Sequence, residues 1–224
     1  MSEPAAPARL RSAPPMERFL GALEAADREL LVGLDSPSSI QAFLDSVPYS
    51  SDPFYRCPRR VLRDRRAHCF DGALMAAAAL RRLGFPPLVV DLYAERDDDH
   101  MLALWHRDGC WGALAKSNFV GLRFREAVYQ SLRELVMSYF EDFYNVEREK
   151  TLRGYTVPLD LSRLDSLDWM AADAGLEEVA ARLDALDRTP VVTPGMVAAL
   201  SPLDARSFEA GMLGTDAAGL YRPH

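Results

Sequence analysis

With 224 residues, 49% of them apolar, and a formal net charge of −7, the chain can fill one substantial core. The acidic balance argues against nucleic acid as a partner, and no run approaches the ~18 consecutive apolar residues of a membrane span. Three cysteines do not make a disulfide framework; with a Pro- and Ala-rich start, "MSEPAAPARLRSAPPMERF", they lead us to expect a reduced, cytoplasmic chain.

Residues 1–15 read as a disordered lead-in. "MERFLGALEAADRELLVGL" then has helical spacing, with Phe19, Leu20, Leu23, Ala26 and Leu30 on one side. "DSPSSIQAFLDSV" offers a Ser cap before a short helix carrying Ile40, Phe43 and Leu44. "PYSSDPFYRCPRR" reads as a Pro-interrupted loop and opens the arginine-rich run from Arg56 to Arg66. A helix begins at Cys69 and stops at Gly84, where a left-handed cap is expected. "FPPLVVDLYA" reads as a strand and "ERDDD" as a turn.

"HMLALWHRDGCWGALAKSNF" is a hairpin, because Asp108-Gly109 between apolar runs suits a type I′ turn. Both of its faces are apolar, so cover on both sides is expected. Ser131 and Glu134 form a capping box opening a core helix with Leu132, Leu135, Val136, Tyr139, Phe140 and Phe143. Beyond Tyr155 the composition shifts, with helix starts signalled at Thr193-Pro194 and Ser201-Pro202. The expected organisation is α+β: a core over 16–155 with N-terminal helices, and a helical extension over 156–224.

Cys69 carries the candidate chemistry. The first turn of a helix favours a thiolate, and the preceding arginines act in the same sense. A thiolate nucleophile needs a proton partner, normally His, and that His needs an orienting acceptor. His100 begins the first hairpin strand. With only Asp108 and Gly109 in the turn it lies opposite Ser117; with a bulge at the glycine it lies opposite Asn118. Backbone amides at the helix start, that of Cys69 included, are candidate oxyanion donors.

These residues resemble the transglutaminase-like, papain-like superfamily. "HCFDGALMAAAALRRLG" is similar to its Cys helix, and "DDDHMLALWHRDGCWGALAKSN" to its strand, turn and polar partner. "IQAFLD", "DDDH", "WGALAKSN" and "RELVMSYFEDFYN" resemble a bacterial subgroup of it. The resemblance implies a Cys-bearing helix on a small antiparallel sheet, with helical extensions at both ends. It implies Cys69 as nucleophile, His100 as general base and acid, and Asn118 as orienting residue with Ser117 in reserve. The activity would be acyl transfer or hydrolysis of an amide or peptide bond in a peptide, protein or small amide, with no cofactor. Ala115 stands where the family usually carries Asp.

Other readings stand beside this one. The same fold without catalysis would serve as a protein- or ligand-binding module, and Cys69 alone could be a buried small hydrophobe. Cys57 and Cys110 read as structural. A metal reading would assemble His68, Cys69, Asp99 and His100. His68 could wall the site, whereas His106 lies about 20 Å along the strand from His100. The arginine run reads as salt-bridged, or as facing an acidic ligand.

Overall fold

The computed structural model describes residues 14–223, so most of the expected lead-in lies outside the described residues. The protein is α+β, an antiparallel sheet with helices. No helix among the described residues is long and apolar enough to cross a membrane.

The N-terminal spacing resolves into two helices rather than one, α1 (Pro15–Ala22) and α2 (Ala25–Gly33). Leu23 and Glu24 between them are extended, and the Arg28 guanidinium takes the carbonyls of Leu20 (2.9 Å) and Leu23 (3.3 Å). α3 (Pro37–Ser46) starts at the Ser36 cap and buries Ile40, Phe43 and Leu44 as expected. A further helix, α4 (Pro58–Asp64), occupies the end of the segment read as a loop; Pro58 at its first turn was the available signal. α5 (Cys69–Arg82) ends before Gly84, whose φ of +91° is the expected left-handed turn.

The hairpin forms as read. β1 (Leu88–Ala94) pairs with β2 (His100–Arg107), which pairs with β3 (Cys110–Leu114) in the two-residue-turn register, Arg107 opposite Cys110 and Ala103 opposite Leu114. Asp108 and Gly109 both have positive φ, +51° and +81°. β4 (Arg125–Tyr129) lies outside β3, and β5 (Leu152–Thr156) lies on the far side of β1. The segment beyond 156 supplies two short strands that its composition did not signal, β6 (Leu159–Asp160) on β1 and β7 (Arg188–Pro190) on β5.

Both faces of the sheet are covered. On one side, Val89, Met101, Ala103 and Trp105 pack into a core with α1 to α5 and with α7 (Leu176–Asp184). On the other, Val90, Leu92, Leu102 and Leu104 meet Leu135, Val136, Tyr139, Phe140 and Phe143. The helix carrying that second set is shorter than its apolar spacing suggests: α6 (Leu132–Met137) gives way to a 3₁₀ turn at Phe140–Asp142. The Ser138 hydroxyl bonds back to the Leu135 carbonyl (2.6 Å), and Arg125 takes the Ser138 carbonyl (3.1 Å), so the ladder is interrupted there. Only half of the capping box forms, because Glu134 reaches the Gln130 amide rather than that of Ser131.

Near the C-terminus, α8 (Pro194–Ala198) is capped by Thr193 as expected. Ser201-Pro202 does not open a helix; α9 (Ala205–Gly211) begins later, where the Asp204 carboxylate accepts from the Ser207 amide at 3.0 Å.

Candidate active site

The site forms where β3 leaves the sheet. The Gln41 carboxamide takes both backbone groups of Ala115, donating to its carbonyl (2.9 Å) and accepting from its amide (3.1 Å). Those bonds replace a continuation of the strand beyond Leu114. Lys116 then turns its ammonium onto the Leu44 and Val47 carbonyls at the end of α3. α5 closes on this loop at Gly72: a Cβ there would lie 2.2 Å from Cβ of Lys116.

The N-terminus of α5 is thereby brought to the backbone of β2 that β3 has vacated. The Cys69 thiol donates to the Asp99 carbonyl at 3.9 Å, and the Met101 amide points back at the sulfur. The thiol thus touches the chain on either side of His100. The expected thiolate is not what this environment produces. Burial pushes the thiol pKa up to about 12, and Asp91 and Asp98 add to the rise against the Met101 and Phe70 amides. The helix-start amides are also largely taken: His68 caps α5, its Nδ1 accepting from Phe70 (3.1 Å) and Asp71 (3.4 Å), and the Cys69 amide is directed at the Tyr49 phenol.

His100 is buried, 5% exposed, and its ring lies on the other face of the sheet from α5, edge-on to Phe143 at 6.2 Å. Nε2 sits 2.8 Å from the Leu122 carbonyl. Burial, partly opposed by that contact, pushes its pKa down to about 4. The orienting pair expected from the hairpin register is therefore not formed. β3 ends before reaching Ser117 and Asn118, so His100 has only Leu92 of β1 as a cross-strand partner. The Ser117 hydroxyl accepts from the Phe119 amide at 3.0 Å. The Asn118 carboxamide is joined to Asp216. Cys69, His100, Ser117 and Asn118 all border one cavity of about 40 Å³ at the end of β2.

Cys69 also opens onto a larger cavity of about 450 Å³. Its walls include Tyr49, Tyr55 and His68, which the sequence reading had either missed or left as a neighbour. Tyr49 is placed by a bridge to Ala67, and burial raises its phenol above the ordinary range, so it stays protonated. His68 is likewise neutral, burial bringing its pKa down to about 4 as its capping role requires. The same cavity is lined by Asp52, Asp91, Asp98, Asp99 and Asp184, which is not a surface for an acidic ligand. The arginine run is spent inside the protein instead. Arg56 pairs with Asp52 and lies 3.7 Å from Asp71; Arg60 reaches Asp173 (2.7 Å), Arg63 Asp64 (2.9 Å) and Arg65 Asp27 (2.9 Å).

Cys57 is fully enclosed, and burial, reinforced by Asp173, pushes its thiol up to about 12; Cys110 sits beside the hairpin turn in the last pair of the β2–β3 ladder. Among the described residues no group of three or more His, Cys, Asp or Glu is arranged to hold a metal ion, so the set His68, Cys69, Asp99 and His100 is not assembled as one.

No family model and no curated protein matches the chain. Among solved structures, Legionella pneumophila LapG aligns at 15% identity and a TM-score of 0.35, over 49% of this chain and 73% of that one. The calcium-bound form of the same protein aligns at 16% identity and 0.37, over 50% and 75%. At these values the likeness assigns neither fold nor activity to this chain.

Proposed function

We propose that the protein is a cysteine-dependent enzyme of transglutaminase-like arrangement that cleaves or transfers an amide or peptide acyl group, with Cys69 as nucleophile and His100 as its proton partner. The observation that carries this reading is the Cys69 thiol lying between the Asp99 carbonyl and the Met101 amide, the chain neighbours of His100, while Cys69 and His100 border one cavity. Because Nε2 faces a carbonyl, Nδ1 is the basic nitrogen.

Catalysis starts from a neutral pair. The thiol turns from Asp99 into the shared cavity and gives its proton to Nδ1 as sulfur attacks the substrate carbonyl. The C–N bond then breaks, and the imidazolium returns the proton to the departing amine. Water or a second amine, deprotonated by the same ring, resolves the thioester. The Leu122 carbonyl takes the orienting role expected of Asn118 or Ser117, and the protonated Tyr49 phenol donates to the developing oxyanion. Peptides or proteins are the substrates proposed, since Cys69 borders the 450 Å³ cavity as well as the smaller one.

A chloroacetamide-capped peptide tests the reading. Intact-mass analysis should show Cys69 labelled well ahead of Cys57 and Cys110, with labelling removed in Cys69→Ala and slowed at least about tenfold in His100→Ala. Equal labelling of Cys69 and Cys57 would sink the nucleophile.

A further inference from the structure

The C-terminal segment, for which the sequence suggests no chemistry, runs along the cleft that Cys69 borders. The Asn118 carboxamide holds Asp216 from both sides, accepting from its amide and donating to its carbonyl, each at 2.8 Å. This is the same two-way grip that Gln41 exerts on Ala115 in place of a neighbouring strand. Three residues on, the backbone passes between two loops with no space to spare. A Cβ on Gly219 would lie 2.7 and 2.8 Å from the Tyr49 ring and 3.2 Å from Nδ2 of Asn118. Ala218 through Tyr221 then wall the 450 Å³ cavity, and Gly219 and Tyr221 also border the smaller one.

The segment is seated but shallowly held. It is tethered where Gly211 of α9 accepts from the Val120 amide (3.0 Å), and Gly214 turns the chain with a φ of +74°. From Leu213 to Pro223 no residue is buried, and Asp216, Ala217 and Ala218 are exposed. Hydrogen bonds to the main chain and a close backbone approach, without buried side chains, recognise a peptide by its backbone, here bent through a 3₁₀ turn at Ala217–Gly219 that Asp216 caps.

We infer that the path between the Tyr49 and Asn118 loops is a peptide-binding groove, occupied in cis by residues 215–221, and that a peptide able to make the same turn takes this path in trans with Asn118 gripping its backbone. The inference rests on the enzyme reading only in taking this groove as the route to Cys69. The segment also lines the neighbouring cavity, through Leu213–Asp216, together with Val47, Lys116 and Arg123.

The experiment uses Cys69→Ala throughout, so its result is independent of whether the thiol reacts. A fluorescein-labelled peptide of residues 215–224 is titrated by anisotropy into a chain ending at Gly214 and into the full chain. Saturable binding to the shortened chain is expected, at least about tenfold weaker for the full chain, whose groove is filled. Asn118→Ala in the shortened chain should weaken it about tenfold through loss of two hydrogen bonds. Full-length Gly219→Val, whose side chain collides with Tyr49, should bind as the shortened chain does. Failure of the peptide to bind Gly219→Val, or equal affinity for the full and shortened chains, overturns the inference.

Discussion

Nε2 of His100 lies 2.8 Å from the carbonyl oxygen of Leu122, and because a carbonyl only accepts, that contact assigns the tautomer: Nε2 carries the hydrogen and Nδ1 the lone pair. With its pKa pushed down to about 4, the ring stays a neutral base across the physiological range. The Cys69 thiol, pushed up to about 12, stays protonated over the same range. Base-assisted attack then has a signature. The labelling rate of Cys69 should be flat between about pH 5 and 8, because neither group titrates there. In His100→Ala the residual rate should rise about tenfold per pH unit, following the thiolate fraction. An inflection near pH 6.5 in the parent protein would mean that the ring is an ordinary solvated histidine.

The same depressed pKa is a statement about stability. The unfolded chain takes up a proton on His100 below about pH 6.5 and the folded one only below about pH 4, so stability is lost as pH falls through that window. The advantage of the parent over His100→Gln in urea unfolding should therefore shrink between pH 7.5 and 4.5, by roughly 2–3 kcal/mol. An unchanged difference would show that burial of the ring does not control its protonation.

Asp91 behaves in the opposite sense. Burial, reinforced by Asp99 and opposed by Arg188, pushes its pKa up to about 7. The folded chain holds a proton there that the unfolded chain releases above the ordinary carboxyl range, so stability falls as pH rises from about 4 to 7. Asp91→Asn removes that penalty. Its melting temperature should match the parent near pH 4 and exceed it above pH 7, the gain being of order 1–3 kcal/mol. A variant less stable at pH 8 than the parent would place a favourable partner on the carboxylate.

Gly72 permits the helix–loop contact that brings Cys69 to β2. Adding a methyl group there puts it 2.2 Å from the Lys116 Cβ, a collision between two atoms fixed by their own backbones. Gly72→Ala should cost about 1–3 kcal/mol in urea unfolding despite its better helix propensity. It should also speed alkylation of Cys69 by a small reagent at pH 9, because α5 must retreat from the sheet. A neutral substitution would mean that the loop yields freely.

Much of the scaffold was legible because its signals are local. Asp108-Gly109 states its own turn, Gly84 its helix stop, and Pro86-Pro87 the entry to β1. Cys69, His100, Ser117 and Asn118, singled out from the sequence, border one cavity, without the pairing expected among them. What failed depends on contacts remote in sequence. Helix-start amides imply a stabilised thiolate only while they are free, and the His68 cap uses two of them. The arginines before Cys69 imply a positive field only while uncompensated, and Asp52, Asp64, Asp71 and Asp173 compensate them. The register argument held to Leu114 and stopped where a glutamine from α3 intervened.

That glutamine is the last test. Gln41 is 4% exposed, and its carboxamide satisfies both backbone groups of Ala115 while Nε2 also reaches Asp45 at 2.9 Å. If it, rather than some preference of the "AKSN" segment, ends β3, two outcomes follow. Gln41→Ala strands a buried amide and a buried carbonyl, which should cost roughly 2–4 kcal/mol and raise hydrogen exchange at Ala115. Gln41→Glu keeps the acceptor for the Ala115 amide but turns a carboxylate oxygen onto its carbonyl. It should therefore be at least as destabilising at pH 8 and recover part of the loss near pH 5, where protonation restores a donor. Equal stability of the two variants at both pH values would remove Gln41 as the cause of the strand's end, and with it the reason that Ser117 and Asn118 leave His100 to Leu122.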